Sequence, residues 1–117
     1  METKIIQELL SSVGVFSCYA GYRYFIDAVC MAAANPEKLL NIRKEIYVQI
    51  ADTYDVQLSS VEKDLRTIRD VLMKNEGALL LKRLTGSGIW QTRQPYPREV
   101  ICIFAGYLSG CAAGTRS

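Results

Sequence analysis

The stretch IRKEIYVQIADTYDVQLSSVEKDLRTIRDVLMK, Ile42 to Lys74, decides the fold. Two segments of helical period flank a short break at Tyr54-Asp55-Val56. In the second segment Leu58, Val61, Leu65, Ile68 and Leu72 recur at steps of three and four. At about 100° per residue, those steps place all of them on one face of a helix. The opposite face carries Ser59, Lys63, Arg66, Thr67 and Asp70. A helix with one buried stripe and a row of hydrogen-bonding side chains opposite suits a DNA groove. The same pattern suits a solvated surface helix, because Glu62 with Arg66 and Arg66 with Asp70 are i, i+4 pairs of opposite charge.

The first segment runs from about Ile42 to Thr53 and turns Ile42, Ile46 and Ile50 inward, with Tyr47 and Tyr54 at its edge. Ala51 is small, as the first helix of such a pair requires where the second crosses close to it. Asp55 falls in the turn, at a position that demands a left-handed backbone, which Asp tolerates. Val56 and Val61 follow at the spacing of residues that pack the two helices together. Ser59 or Ser60 is placed to cap the second helix, and Ser59 with Glu62 makes an S-x-x-E capping box. The stretch therefore reads as a helix-turn-helix over about residues 42–74.

Upstream, Ile5, Ile6, Leu9, Leu10 and Val13 predict a helix over residues 3–13, capped by Thr3 and ended by Gly14. A second helix is expected from about Ala20 to Ala34, its apolar face holding Tyr22, Phe25, Ile26, Val29 and Cys30. Asn35 is a good N-cap with Pro36 at the first position of a following segment, Glu37 to Leu40. Downstream, Ala78 to Leu84 is a short apolar segment closed by Gly86 and Gly88. Ile89 to Tyr96 reads as a loop or extended arm holding Trp90 and Arg93. Pro97 opens a last helix with Val100, Ile101, Phe104 and Leu108 inside. The fold class is all-α: a compact bundle of five or six helices, in one domain over residues 1–117.

Composition narrows the chemistry. The chain has 117 residues, half of them hydrophobic, and a formal net charge of +2. Its middle third balances acids and bases, and the C-terminal third holds Lys82, Arg83, Arg93, Arg98 and Arg116 against Glu76 and Glu99. Nucleic-acid binding must then rest on local geometry rather than bulk charge. There is no histidine, and the four cysteines, Cys18, Cys30, Cys102 and Cys111, form no C-x-x-C pair. A zinc site would have to gather all four thiolates from distant positions, so no metal and no cofactor is expected. Cys30 and Cys102 read as small buried hydrophobes, and the cysteine pattern fits a reducing cytoplasm. Glu8 interrupts the N-terminal apolar run, so no signal peptide is expected. The uncharged stretch Val100 to Thr115 is short and glycine-rich for a membrane span, which needs about 20 apolar residues.

Four segments in register carry a resemblance. Gly21-Tyr22-Arg23-Tyr24-Phe25-Ile26-Asp27-Ala28-Val29 is similar to the GYxYLxxAI opening of the C-terminal effector domains of the stage 0 sporulation protein A family. Ile46-Tyr47, Ile50-Ala51 and Tyr54 resemble its LYPxIAxxY. Ser59, Val61, Glu62, Lys63, Leu65 and Arg66 resemble its SRVERAIR, and Pro95, Glu99, Val100 and Ile101 its PTNSEFI. The matches span about residues 19–108. The resemblance implies an all-α DNA-binding domain whose second motif helix reads bases in the major groove, with adjacent domains touching on tandem sites. Carried over, Ser59, Glu62, Lys63 and Arg66 face DNA, and Ser60 and Thr67 complete the expected base-reading set. Arg43, Lys44, Lys82, Arg83, Arg93 and Arg98 are the expected phosphate contacts. The departures are Ser60 and Lys63 where the family has arginine, Val48 in place of its proline, and Pro97 in place of its asparagine. Residues 1–18 are too few for the family's phosphorylated receiver domain, so the chain reads as an effector domain, free-standing or part of a longer regulator.

The partner expected is double-stranded DNA, bound by a homodimer on tandem sites, with no membrane and no small-molecule substrate. The alternative is a non-enzymatic protein-interaction or dimerisation module that kept the fold but lost strong DNA binding and presents its last helix, with Tyr107, to a partner. No catalytic residue is expected. The chain has no histidine to activate a cysteine, no phosphate loop and no paired-carboxylate signature.

Overall fold

The computed structural model describes residues 2–113, with side chains from Thr3 to Gly110; the end of the uncharged stretch, with Cys111 and Arg116, lies outside the described side chains. Among the described residues six α-helices follow one another: α1 Glu2–Ser11, α2 Tyr22–Ala34, α3 Val48–Tyr54, α4 Leu58–Lys74, α5 Gly77–Thr85 and α6 Pro97–Ala113. Short 3-10 turns occupy Pro36–Asn41 and Ile89–Gln91, and a π turn over Arg43–Tyr47 leads into α3. The described residues contain no strand.

The core is one cluster to which every helix contributes. α2 and α6 lie along each other, with Phe25 against Phe104 edge to face at 5.1 Å between ring centroids. Such a pair adds about 1 kcal/mol to the gain from burial. Val61, Leu65, Ile68 and Leu72 of α4 are all buried against this layer, as the three-four spacing predicts. α1 closes one side with Ile6 and Leu10. Gly21 lets α2 approach α4 closely. A Cβ there would lie 2.4 Å from the Asp64 carbonyl oxygen and 2.9 Å from Cγ1 of Ile68.

Several local expectations need correction. Thr3 lies inside α1 rather than at its cap, because the helix begins one residue earlier. Residues 42–53 are not one regular helix. The π turn inserts an extra residue and lets the consecutive Ile46 and Tyr47 both turn inward, so Tyr47 is buried rather than at the edge. Cys102 is exposed, since it falls on the outer side of α6, opposite the buried Val100, Ile101 and Phe104. Asn35 does cap the next segment, its Oδ1 accepting from the Glu37 N–H at 3.3 Å. Gly86 ends α5 at φ +80°. No helix among the described residues is long and apolar enough to cross a membrane.

Candidate nucleic-acid interface

The turn between α3 and α4 is built as its sequence predicts. Asp55 sits at φ 54°, ψ 51°, and the Val56 N–H returns to the Ala51 carbonyl at 2.9 Å. A left-handed residue at the end of a helix closes it and redirects the chain. Ala51 and Val61 are buried at the crossing. At the C-terminal end of α3, beside this turn, the Tyr54 hydroxyl donates to Asp27 Oδ2 at 2.5 Å, tying the helix to α2. That bond and partial burial raise the phenol pKa.

α4 does not begin with the expected capping box. It starts at Leu58 with Gln57 as the cap residue and no side-chain cap bond. Ser59 is therefore an exposed residue of the first turn, and Ser60 is half-buried. The Glu62 carboxylate turns away from Ser59 to Arg43 of the first motif segment, with Nε to Oε2 at 3.0 Å. The expected ladder through Arg66 also fails to form. Asp70 accepts from Arg69 at 2.7 Å and from Gln94 at 3.1 Å, so both acids flanking Arg66 are engaged elsewhere. Ser59, Lys63 and Arg66 thus stand exposed, and none of these side chains has a hydrogen bond or ion pair among the described residues. The Thr67 hydroxyl donates to the Lys63 carbonyl at 3.2 Å and keeps its acceptor capacity. From Ser59 to Asp70 this stripe is about 16 Å long at the α-helical rise. That exceeds the roughly 12 Å width of the major groove.

The arm after α5 braces this helix. The Arg69 Nη1 donates to the Pro95 carbonyl at 2.8 Å. Arg93 pairs with Glu99 through both terminal nitrogens, at 2.9 and 3.3 Å, and lies 4.9 Å from the centre of the Trp90 ring. Glu99 also accepts from the Tyr96 N–H at 2.8 Å. Arg93, chiefly, holds the Glu99 carboxyl below the usual carboxylate range. Of the expected phosphate contacts, Arg93 is therefore neutralised by Glu99 in the first turn of α6. Lys44 is exposed, and Arg43 is exposed while bonded to Glu62. Arg98 stands over Tyr96 at 5.9 Å from the ring centre. Lys82 and Arg83 are exposed too, beside Ser12, Val13 and Glu76. Ser12 and Glu76 adjoin the contact of Gly14 with Asn75, the residue that ends α4, so these two bases sit at the opposite end of that helix from Ser59.

Tyr47, Glu62, Arg66, Tyr96, Pro97 and Arg98 line a cleft of about 430 Å³ beside the first turns of α4. Burial, then the nearby Glu62 charge, pushes the Tyr47 phenol up to about 12, so it is a neutral donor at physiological pH. The roles of Arg69, Gln94 and Tyr96 were missed from sequence. The available signal was Pro95-Tyr96-Pro97, whose prolines favour an extended arm before a helix start.

No solved structure matches the chain. The family described as sporulation initiation factor Spo0A C terminal matches residues 6–108, nearly the whole length. That range takes in α4, the arm and the buried face of α6, in agreement with the resemblance of the four segments. The chain belongs to the Spo0A C-terminal family, a family of DNA-binding domains of sporulation initiation.

Proposed function

We propose that this domain is a sequence-specific transcriptional regulator that reads the major groove of double-stranded DNA with the outer face of α4. The observation that carries the reading is the unpaired stripe Ser59, Lys63 and Arg66, with Thr67 beside it. Cations held in internal ion pairs would have to break them to reach bases, whereas these are available. Arg66 is suited to a guanine edge and Lys63 to guanine or phosphate. Glu62, whose Oε2 is held by Arg43, keeps Oε1 to accept from cytosine, and Ser59, Ser60 and Thr67 serve as short hydrogen-bonding contacts. Lys44, Arg98 and, through its free nitrogens, Arg43 supply phosphate contacts around α4. Lys82 and Arg83 extend them at its far end, and Arg93 is kept for bracing.

The experiment is a titration against duplex DNA at several salt concentrations, with Arg66→Ala and Lys63→Ala alongside. Three to five phosphate contacts give a slope of log affinity on log salt of about −3 to −5. Each substitution weakens binding by roughly five-fold or more. No binding to any duplex at low salt, or both variants binding as the parent does, overturns the reading.

A second reading concerns contact between copies. On the outer side of α6, Cys102 lines a shallow apolar groove with Pro36 and Leu39, and Leu40, next in the chain, is 88 % exposed. This apolar strip favours a homodimer on tandem sites, or a partner protein. Leu40→Glu then abolishes cooperative binding to a two-site duplex and spares a single site. Unchanged cooperativity refutes it.

A further inference from the structure

The cleft beside α4 has the chemistry of a phosphate seat. Three observations bear on its occupant. The first is Tyr47, which is only 8 % exposed and lines the cleft, and whose hydroxyl has no hydrogen-bond partner among the described residues. The ring is buried while the hydroxyl opens into the cleft, where it is a donor available to an acceptor. The second is charge. Arg66 and Arg98 both line the cleft, and the one acid there, Glu62, is already bonded to Arg43 at 3.0 Å. The two guanidinium groups are left without a carboxylate of their own. The third is position: Pro97 and Arg98 open the 17-residue helix α6 at the same space, where Glu99 already caps the helix through the Tyr96 N–H and the Arg98 guanidinium supplies the positive charge.

We propose, resting on the DNA reading above for the source of the ligand, that this cleft seats a phosphate group of the DNA backbone. The Tyr47 hydroxyl donates to a phosphate oxygen, and Arg98 pairs with the same group. Arg66 stands at the rim, between this phosphate and the bases that α4 reads. The seat fixes the height and rotation of α4 in the groove, since a phosphate contact sets register without reading sequence. The chemistry recognised is a phosphate oxyanion, and a free small phosphate presents the same group.

The test compares the parent domain with Tyr47→Phe, which keeps the ring and removes only the hydroxyl, and with Arg98→Gln. Each is titrated against duplexes carrying one neutral methylphosphonate, walked along both strands. Tyr47→Phe is expected to weaken binding about tenfold, the effect of losing one hydrogen bond to a charged group, on all sequences alike. One methylphosphonate position costs the parent a similar factor and costs Tyr47→Phe nothing further. If Tyr47→Phe, folded by circular dichroism, binds within about twofold of the parent and no position separates them, the seat is refuted. If the parent binds no duplex at all, the DNA reading fails instead. Inorganic phosphate then decides the seat, followed through the Arg98 Nε–H resonance. A saturable shift that Tyr47→Phe abolishes keeps the seat for free phosphates, and no shift overturns it.

Discussion

Replacing Gly21 by alanine tests how α4 is held. Gly21 has φ −81°, a backbone any residue adopts, so the substitution carries no conformational strain. Its effect is steric. The new methyl would lie 2.4 Å from the Asp64 carbonyl oxygen, 2.8 Å from its carbon and 2.9 Å from Ile68 Cγ1. Two of these atoms are α4 backbone, which cannot swing aside as a long side chain can. The helices must part by about 0.5–1 Å. Overpacking of this kind costs about 1–3 kcal/mol. Against it stands the smaller entropy of the unfolded alanine chain, worth about 0.4–1 kcal/mol. The net expectation is a loss of about 1–2 kcal/mol. Gly106→Ala is the matched control. It lies inside α6 with nothing within 4 Å of a new Cβ, so the same chemical change should stabilise, by up to about 1 kcal/mol. Urea unfolding of the three proteins measures both, read as shifts of midpoint at constant slope. Equal effects of the same sign, or a Gly21→Ala variant as stable as the parent, would refute the close contact of α2 with α4.

Asp55 holds a left-handed backbone at φ 54°. Asp55→Val is expected to cost about 1–2 kcal/mol while Asp55→Gly costs nothing or stabilises, as thermal unfolding will show; equal melting of the two contradicts the turn geometry. Glu99 has a lowered carboxyl pKa, caused first by Arg93 and helped by the Tyr96 N–H. Its stabilisation is present above the ordinary carboxylate value and is lost as pH falls through the lower, folded-state value. Glu99→Gln should therefore cost about 0.5–1 kcal/mol at pH 7, allowing for solvent screening, and the gap to the parent should close on acidification below about pH 4. A gap independent of pH contradicts the ion pair. Tyr47, raised to about 12, contributes stability that is full below pH 10 and lost as pH rises toward 12. Tyr47→Phe should remove that alkaline loss in unfolding measured between pH 9 and 12, and an unchanged loss assigns it to another group.

The apolar periodicity made most of the architecture readable. Val61, Leu65, Ile68 and Leu72, then Val100, Ile101, Phe104 and Leu108, are buried where their spacing puts them. Asp55 was legible because few non-glycine residues tolerate a left-handed turn. The errors arose where a local rule competed with a tertiary partner. Ser59 and Glu62 have the right spacing for a capping box, yet Arg43 takes the carboxylate from a segment 19 residues away. Arg66 has acids at both helical neighbours, yet Arg69 and Gln94 take one and Arg43 the other. Sequence spacing shows which pairs are within reach on one helix and not which competitor arrives from another. The cleft was invisible for the same reason: Tyr47, Glu62 and Arg98 meet only after the arm and α6 fold back on α4. The π turn that buries Tyr47 has no sequence rule of its own, beyond two consecutive large residues, Ile46 and Tyr47, both having to face inward.

The exposed face of α4 as a base-reading surface is tested most directly by random-sequence duplex selection with the parent, Lys63→Ala, Arg66→Ala and Arg98→Gln. The expected result is one enriched site for the parent. Each α4 substitution should relax preference at one or two neighbouring base pairs and leave the rest intact. Arg98→Gln should lower affinity evenly and keep the preference unchanged. Enrichment of the same site with the same base preferences by all four proteins, or of no site by the parent, would contradict it.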